Sequence, residues 1–471
     1  MLPKFANRER EMRFLEETYR EKGFNLVVLY GRRRVGKTEL IKKFIENKPS
    51  IYILATDESF AENIKSFKQK FAEFAKKEYF LRLETKSLYE LFRFFCEEIN
   101  EKKCVMVIDE FPYLMQTKKG LLSLFQKIID DLLMRTNVIL ILCGSSMSVM
   151  ESELLGKGTP LYGRKLNIWK LQPFSFKHVV KYFKNPFEVY FIFGGVPYYL
   201  KFYNEDKSLT ENIREILLTK GKNLYDEPLI LLRQEFRESR VYRLVLKYLS
   251  LGYKTIGKLC SASGMDKSNL TKYLSSLEEV GIVRHILPFG MKRKGIYEIN
   301  DPLFRFWFKF VYPYRDYLEV GRREVVEEII ARELNEYFGL CFEYLVEEIL
   351  KEKLIPEFEN FGLISKWWYE DKEIDIVALN EKAKEILLAE CKWQNRVNAK
   401  KICKELAEKA NYVQWHNDKR KEGFAIFAKS FSRRINEFEG RKVYCFDLRD
   451  MKRVVKEAYD YGKRGRTKTV N

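Results

Sequence analysis

Four short blocks of nearly continuous apolar residues mark the early part of the chain: Leu26–Tyr30, Ile51–Ala55, Cys104–Asp109 and Val138–Cys143. Each has the length of a strand, is rich in β-branched and aliphatic residues, and is separated from the next by stretches with a helical period. A strand that is apolar on both faces must be covered on both, so the pattern predicts a parallel sheet between layers of helices. From about Gln172 to Glu235 the pattern is helical and aromatic, as in a helical lid. Short helices and a glycine-punctuated strand pair follow to Pro313, and α/β character returns from Val325 to Asp450. The expected domains are 1–235, 236–313 and 325–450. Residues 451–471 are expected as a C-terminal helix and an unstructured basic tail with Lys463, Arg464, Arg466 and Lys468.

Composition narrows the class. A chain of 471 residues exceeds one ordinary core and suits about three domains. No apolar run approaches the ~20 residues of a membrane helix, and no apolar stretch follows the charged Lys4, Arg8, Glu9 and Arg10. The eight cysteines include no CxxC pair, as expected of reduced thiols in the cytoplasm, with no membrane partner. The net charge of +19 attracts polyanions, DNA among them, and equally fits a lysine-rich soluble surface.

The first candidate chemistry lies where strand Leu26–Tyr30 runs into Gly31-Arg32-Arg33-Arg34-Val35-Gly36-Lys37-Thr38 and then a helix. This is GxxxxGK[ST] in the strand–loop–helix setting it requires. The glycines let backbone N–H groups close around phosphates, and the helix N-terminus adds its positive dipole end. ATP is the expected ligand, bound by Gly31, Arg32, Arg33, Arg34, Val35, Gly36, Lys37, Thr38 and Glu39. Lys37 is expected on the β- and γ-phosphates and the Thr38 hydroxyl on Mg2+. Strand Val105–Ile108 ends in Asp109 and Glu110, placing two carboxylates at the sheet edge where ligands bind. Asp109 is expected to hold the metal, and Glu110 to orient and deprotonate the attacking water. An acid pair standing alone could be a solvated turn. Ser145 or Ser146, after the next strand, is a candidate γ-phosphate sensor or a plain turn. Arg164 could stabilise transition-state charge, in cis or from a neighbouring copy in a homo-oligomer, or be an ordinary surface arginine.

These motifs occur with Phe5-Ala6-Asn7-Arg8-Glu9-Arg10-Glu11, Val107-Ile108-Asp109-Glu110-Phe111-Pro112-Tyr113-Leu114, Gly144–Met150, Pro160–Arg164 and Gly194-Gly195-Val196-Pro197-Tyr198-Tyr199-Leu200. Together and in this order they resemble the archaeal ATPase family, one of the STAND/AAA-like P-loop ATPases, over about half the chain. The resemblance implies that Arg8 and Glu9 lie on the adenine side and that Gly194–Leu200 is a lid element facing the nucleotide. From the residues alone, Gly194-Gly195 before Pro197 says only that a helix starts or bends there.

Residues from about Arg240 to Ile299 read as three helices and a strand pair. Asp266 is a plausible N-cap of the third helix. Leu270, Leu274 and Leu277 share one face, and Lys267, Ser268, Asn269, Thr271 and Lys272 point outward. Lys292, Arg293, Lys294 and Gly295 fit a basic hairpin tip. This looks like a winged helix-turn-helix, whose third helix reads a major groove and whose wing touches the backbone. A rigid domain contact is the other reading of the same module.

Near the end, Glu343 lies on an amphipathic helix, Asp375 in the strand Glu373–Leu379, and Glu390 and Lys392 on one face of a further strand. The order helix, strand, strand, strand, helix, strand resembles the PD-(D/E)xK nuclease-like fold. By that resemblance Asp375 and Glu390, with Glu343 as a further ligand or an acid supporting the ligands from behind, hold a second Mg2+ or Mn2+, and Lys392 positions water or offsets charge. A retained fold without activity is the alternative.

The expectation is an α/β protein: a P-loop parallel-sheet ATPase core with helical lid, then a winged helix, then a restriction-endonuclease-like α/β domain. Three functions compete: an ATP-controlled switch associated with DNA, an ATP-dependent DNA endonuclease, and a DNA-binding regulator with an inactive nuclease fold.

Overall fold

The computed structural model of the chain describes residues 5–464 except 101, 148, 157, 162–165, 292 and 294, with side chains as far as residue 460. Arg164, Lys292, Lys294, Arg466 and Lys468 lie outside the described residues. The chain divides into two compact units between Pro173 and Phe174.

The first unit is built on a five-stranded sheet in the order β2-β3-β4-β1-β5. Its strands are β1 (Asn25–Tyr30), β2 (Ser50–Leu54), β3 (Cys104–Asp109), β4 (Val138–Gly144) and β5 (Leu166–Lys170), all paired in parallel. Every residue of β1, β3 and β4 is buried, as their unbroken apolar character requires. Alternate positions feed two cores. Val27, Leu29, Val105, Val107, Ile139 and Ile141 pack against Leu40, Ile41 and Phe44. On the other face Leu26, Val28, Met106, Ile108, Leu140 and Leu142 pack with Phe67, Phe71, Phe92, Phe95 and Phe125. The edge strand β5 lies outside the four expected strands, because Leu-Asn-Ile-Trp-Lys is short and half polar, and only its pairing with β1 makes it a strand. The order brings the C-terminal ends of β1, β3 and β4 side by side.

In the second unit the helical segment after Phe174, expected with the first domain, packs on the long helix Arg323–Lys351. Glu348 on that helix accepts hydrogen bonds from Phe176 N–H and Tyr190 Oη, both at 2.8 Å, and Ser175 Oγ donates to Glu352 at 3.2 Å. Helices Ser239–Ser250, Ile256–Ser263 and Lys267–Glu279 precede an antiparallel pair, β6 (Val283–Ile286) and β7 (Ile296–Ile299). The side chains of Thr255 and Asp266 cap the second and third of these helices. The aromatic helix Pro302–Phe310 is core, with Trp307 fully buried.

A six-stranded mixed sheet follows in the order β14-β15-β12-β10-β9-β8. It contains β8 (Leu363–Tyr369), β9 (Lys372–Asn380), β10 (Glu385–Lys392), β12 (Lys421–Ala428), β14 (Glu437–Phe438) and β15 (Arg441–Asp447), with β11 (Val397–Asn398) and β13 (Phe431–Arg433) paired apart. Strands β8 to β10 are antiparallel neighbours, whereas β10 and β12 are parallel and are joined through helix Ala399–Ala410. One expectation is corrected here. The final helix runs from Leu448 to Arg464, so the backbone of Lys463 and Arg464 is helical. The part of the β6–β7 connection that precedes the expected basic tip packs against the mixed sheet. Phe289 is buried in the core of the mixed sheet, its N–H donates to Lys366 O at 2.8 Å, and Ser365 Oγ donates to Leu287 O at 2.9 Å.

Candidate functional site

The loop from β1 into helix Lys37–Ile45 closes tightly because its glycines permit it. A Cβ on Gly31 would lie 2.3 Å from Leu171 O, and Gly36 sits at φ +93°. Arg34 shares the left-handed region at φ +71°. Lys37 is buried, and its ammonium donates to Gly31 O at 2.7 Å and Arg32 O at 3.0 Å, folded onto the loop it belongs to. Arg8 is buried against the same loop. Its Nη2 donates to Val35 O at 2.8 Å and Gln172 O at 3.0 Å, and Nη1 pairs with Glu11 at 3.0 Å. Arg8 is thus a brace between the loop and the exit from β5. Arg33 Nη2 donates to Tyr113 Oη at 2.9 Å, and Glu39 is exposed in the first helical turn.

The carboxylates at the end of β3 face this loop. Asp109 is buried. Its Oδ2 accepts from Thr38 Oγ1 at 3.0 Å and from Tyr52 Oη at 2.5 Å, and its Oδ1 accepts from Glu110 N–H at 2.9 Å. Glu110 starts the next helix at φ +53°, and both its carboxylate oxygens accept from Ser145 Oγ, at 3.1 and 2.9 Å. Burial, then Asp109, raises the Cys143 thiol well above its ordinary range, so it stays protonated beside these acids. Lys37, Thr38, Asp109, Glu110 and Ser145, dispersed in sequence, therefore converge at one sheet edge. A hydroxyl and a carboxylate 3.0 Å apart beside a helix N-terminus are hard oxygen donors that fit Mg2+. The set could hold phosphates, a divalent ion and a water. Sequence reasoning missed Tyr52, whose only signal is a polar tip between Ile51 and Ile53 in an otherwise apolar strand.

The C-terminal residues also come together, in a different state from the one expected. Asp375 lies on β9, and Glu390 and Lys392 lie on the neighbouring β10. Asp375 Oδ2 accepts from Cys391 N–H at 2.8 Å. Burial, then Glu390 and Glu343, pushes the Asp375 carboxyl well above the usual range. Glu390 is clamped by two lysines, Lys392 at 2.5 Å and Lys409 at 2.7 Å, and Glu343 pairs with Lys366 at 2.5 Å. Among the described residues no three acid, histidine or cysteine side chains are gathered as a metal site. Of the expected ligands Glu343, Asp375 and Glu390, two are therefore paired with lysines, and Asp375 lies close enough to feel both of the other acids. Lys366 from β8 and Lys409 from helix Ala399–Ala410 supply cations that sequence spacing does not bring near them.

Residues 5–202 match the family described as an ATPase domain predominantly from Archaea, and residues 307–402 match a family of archaeal and bacterial proteins of unknown function. The uncharacterized protein MJECL04 of Methanocaldococcus jannaschii is 33% identical over 463 residues, covering 95% of this chain and 99% of that protein. An uncharacterized ATP-binding protein of the same organism is 64% identical over 44 residues, 9% of this chain and 75% of that one. Among solved structures, a Walker-type ATPase of Pyrococcus abyssi aligns with a TM-score of 0.49 at 24% identity, covering 65% of this chain and 96% of that chain.

Proposed function

The chain belongs to the archaeal ATPase family, and from that premise we propose that it is a Mg2+-dependent ATPase working as a nucleotide-controlled switch. The observation that carries this reading is the convergence of Lys37, Thr38, Asp109, Glu110 and Ser145 at the ends of β1, β3 and β4. Lys37 exchanges the carbonyls of Gly31 and Arg32 for the β- and γ-phosphates, and the loop N–H groups close on the same oxygens. Thr38 and Asp109 hold Mg2+, which when bound offsets charge on the phosphates. Glu110 orients the attacking water and takes its proton, and Ser145 fixes the Glu110 carboxylate. Arg8 keeps the loop in register from the adenine side. Taking a two-state protein from 1:99 to 99:1 needs about 5.5 kcal/mol of differential binding. Charge-assisted contacts to one γ-phosphate are of that order.

Nucleotide binding and phosphate release test the reading together. Lys37→Ala is expected to abolish tight ATP binding. Glu110→Gln should retain binding and hydrolyse about 10²–10⁴-fold more slowly. Hydrolysis at the original rate in Glu110→Gln would remove Glu110 from its role.

A second reading, that the switch acts on DNA, is favoured by the exposed face of helix Lys267–Glu279. Lys267, Ser268, Asn269, Thr271 and Lys272 are exposed, while Leu270, Leu274 and Leu277 are fully buried. On this reading the three helices with β6 and β7 are a winged helix, and the mixed sheet is a nuclease-like fold whose acids are balanced by Lys366, Lys392 and Lys409. Incubating the protein with duplex DNA, Mg2+ and ATP separates the alternatives. Binding without strand breaks marks a regulator. Breaks that vanish in Asp375→Ala mark an endonuclease.

A further inference from the structure

Among the described residues, the Thr38 and Tyr52 hydroxyls and the Glu110 N–H donate to the Asp109 carboxylate. Thr38 and Glu110 belong to the motifs that define the ATP site, and Tyr52 does not. Tyr52 lies on β2 opposite Val107 of β3, two residues before the level at which Leu54 stands opposite Asp109. Its ring packs against the core that contains Val105 and Val107, and its hydroxyl reaches forward to Asp109 Oδ2 at 2.5 Å. Parallel pairing of β2 with β3 is therefore what delivers the phenol, since two strand residues span roughly 7 Å, about the reach of a tyrosine.

A carboxylate offers about four acceptor positions. Thr38 and Tyr52 take two on Oδ2, and Glu110 N–H takes one on Oδ1.

We propose that Tyr52 is a positioning residue of the ATP site: its hydroxyl holds the Asp109 carboxylate in the orientation that receives Mg2+ together with Thr38. The inference rests on the assignment of Asp109 to the metal of the ATPase. The ring supplies packing and the hydroxyl supplies orientation, so Tyr52→Phe separates them. Losing an outer partner of a metal-binding group typically weakens metal affinity about 10–100-fold. A structural loss would weaken nucleotide binding whether or not metal is present.

The test uses the full chain with Glu110→Gln, so that ATP is not consumed, with and without Tyr52→Phe. Calorimetry measures the ATP Kd in Mg2+ and in EDTA. The expected result is a Kd at least about tenfold weaker in Mg2+, unchanged in EDTA, with the same melting temperature for the two ligand-free proteins. Equal affinity in Mg2+ overturns the proposal. So does an equal loss in Mg2+ and EDTA, which would make Tyr52 a packing residue. If Mg2+ does not strengthen ATP binding even with Tyr52 present, the metal assignment of Asp109 fails first and the proposal falls with it.

Discussion

Ser145 Oγ stands 2.9 Å from one carboxylate oxygen of Glu110 and 3.1 Å from the other, joining the end of β4 to the residue after β3. Glu110 is itself set in a left-handed backbone conformation at φ +53°, which costs energy for a residue with a Cβ. The hydroxyl and the backbone together restrict where this carboxylate points.

Replacing Ser145 with Ala therefore leaves Glu110 in place but loosely aimed. The expected outcome is a kcat lower by about 10–100-fold with ATP affinity little changed, the signature of an interaction that matters in the transition state. Steady-state kinetics beside equilibrium ATP binding checks it. An unchanged kcat would make Ser145 a plain turn residue.

Glu298 gives a second expectation. It is buried and receives Lys254 at 2.5 Å and Tyr344 Oη at 2.6 Å, with Arg284 at 3.7 Å. Burial alone would raise its carboxyl, and Lys254 and Lys366 outweigh this and hold it down to about 2. A carboxyl held low in the folded state stabilises the fold above its ordinary value of 4.5 and loses that contribution as pH falls toward 2. Glu298→Gln should cost on the order of 2–4 kcal/mol at pH 7. The difference from the parent in urea unfolding should shrink by pH 3. A pH-independent difference would mean that the charge is not what stabilises.

Glu348 has the opposite sign. Burial, then Glu352, raises its carboxyl to about 7, against hydrogen bonds from Phe176 N–H and Tyr190 Oη and the charge of Lys177. Its protonated form favours the folded state, so this contribution is full below 4.5 and is lost as pH rises through about 7. Glu348→Gln keeps an acceptor and removes the charge. It should raise stability at pH 8.5 by on the order of 1–3 kcal/mol, and change it little at pH 5. Thermal unfolding at the two pH values reads this directly.

If helix Lys267–Glu279 meets DNA, Lys267→Ala with Lys272→Ala should lower the log–log salt slope of duplex binding by about 2, one unit for each phosphate left without its lysine. Affinity measured from low to moderate salt gives the slope. The same slope in both proteins would leave this face without a DNA role.

Much of the ATP site was legible in the chain before any fold was known, because its chemistry is written locally. Gly31 and Gly36 are required by the backbone of one loop, Lys37 and Thr38 follow them in sequence, and Asp109 and Glu110 end a strand whose apolar run is unmistakable. The C-terminal acids were legible for the same reason, as Glu390 and Lys392 share a face through strand alternation alone. What tertiary structure decided is which distant groups meet them. Tyr52 reaches Asp109 only because β2 pairs with β3, Lys366 reaches Glu343 from β8, and Lys409 reaches Glu390 from the crossover helix. Phe289 leaves its hairpin for another core, and β5 exists by pairing with β1. Periodicity records which face of an element is buried, and it holds no record of which element lies opposite. The partner of a long side chain is set by strand order and register, and these are global properties of the packed chain.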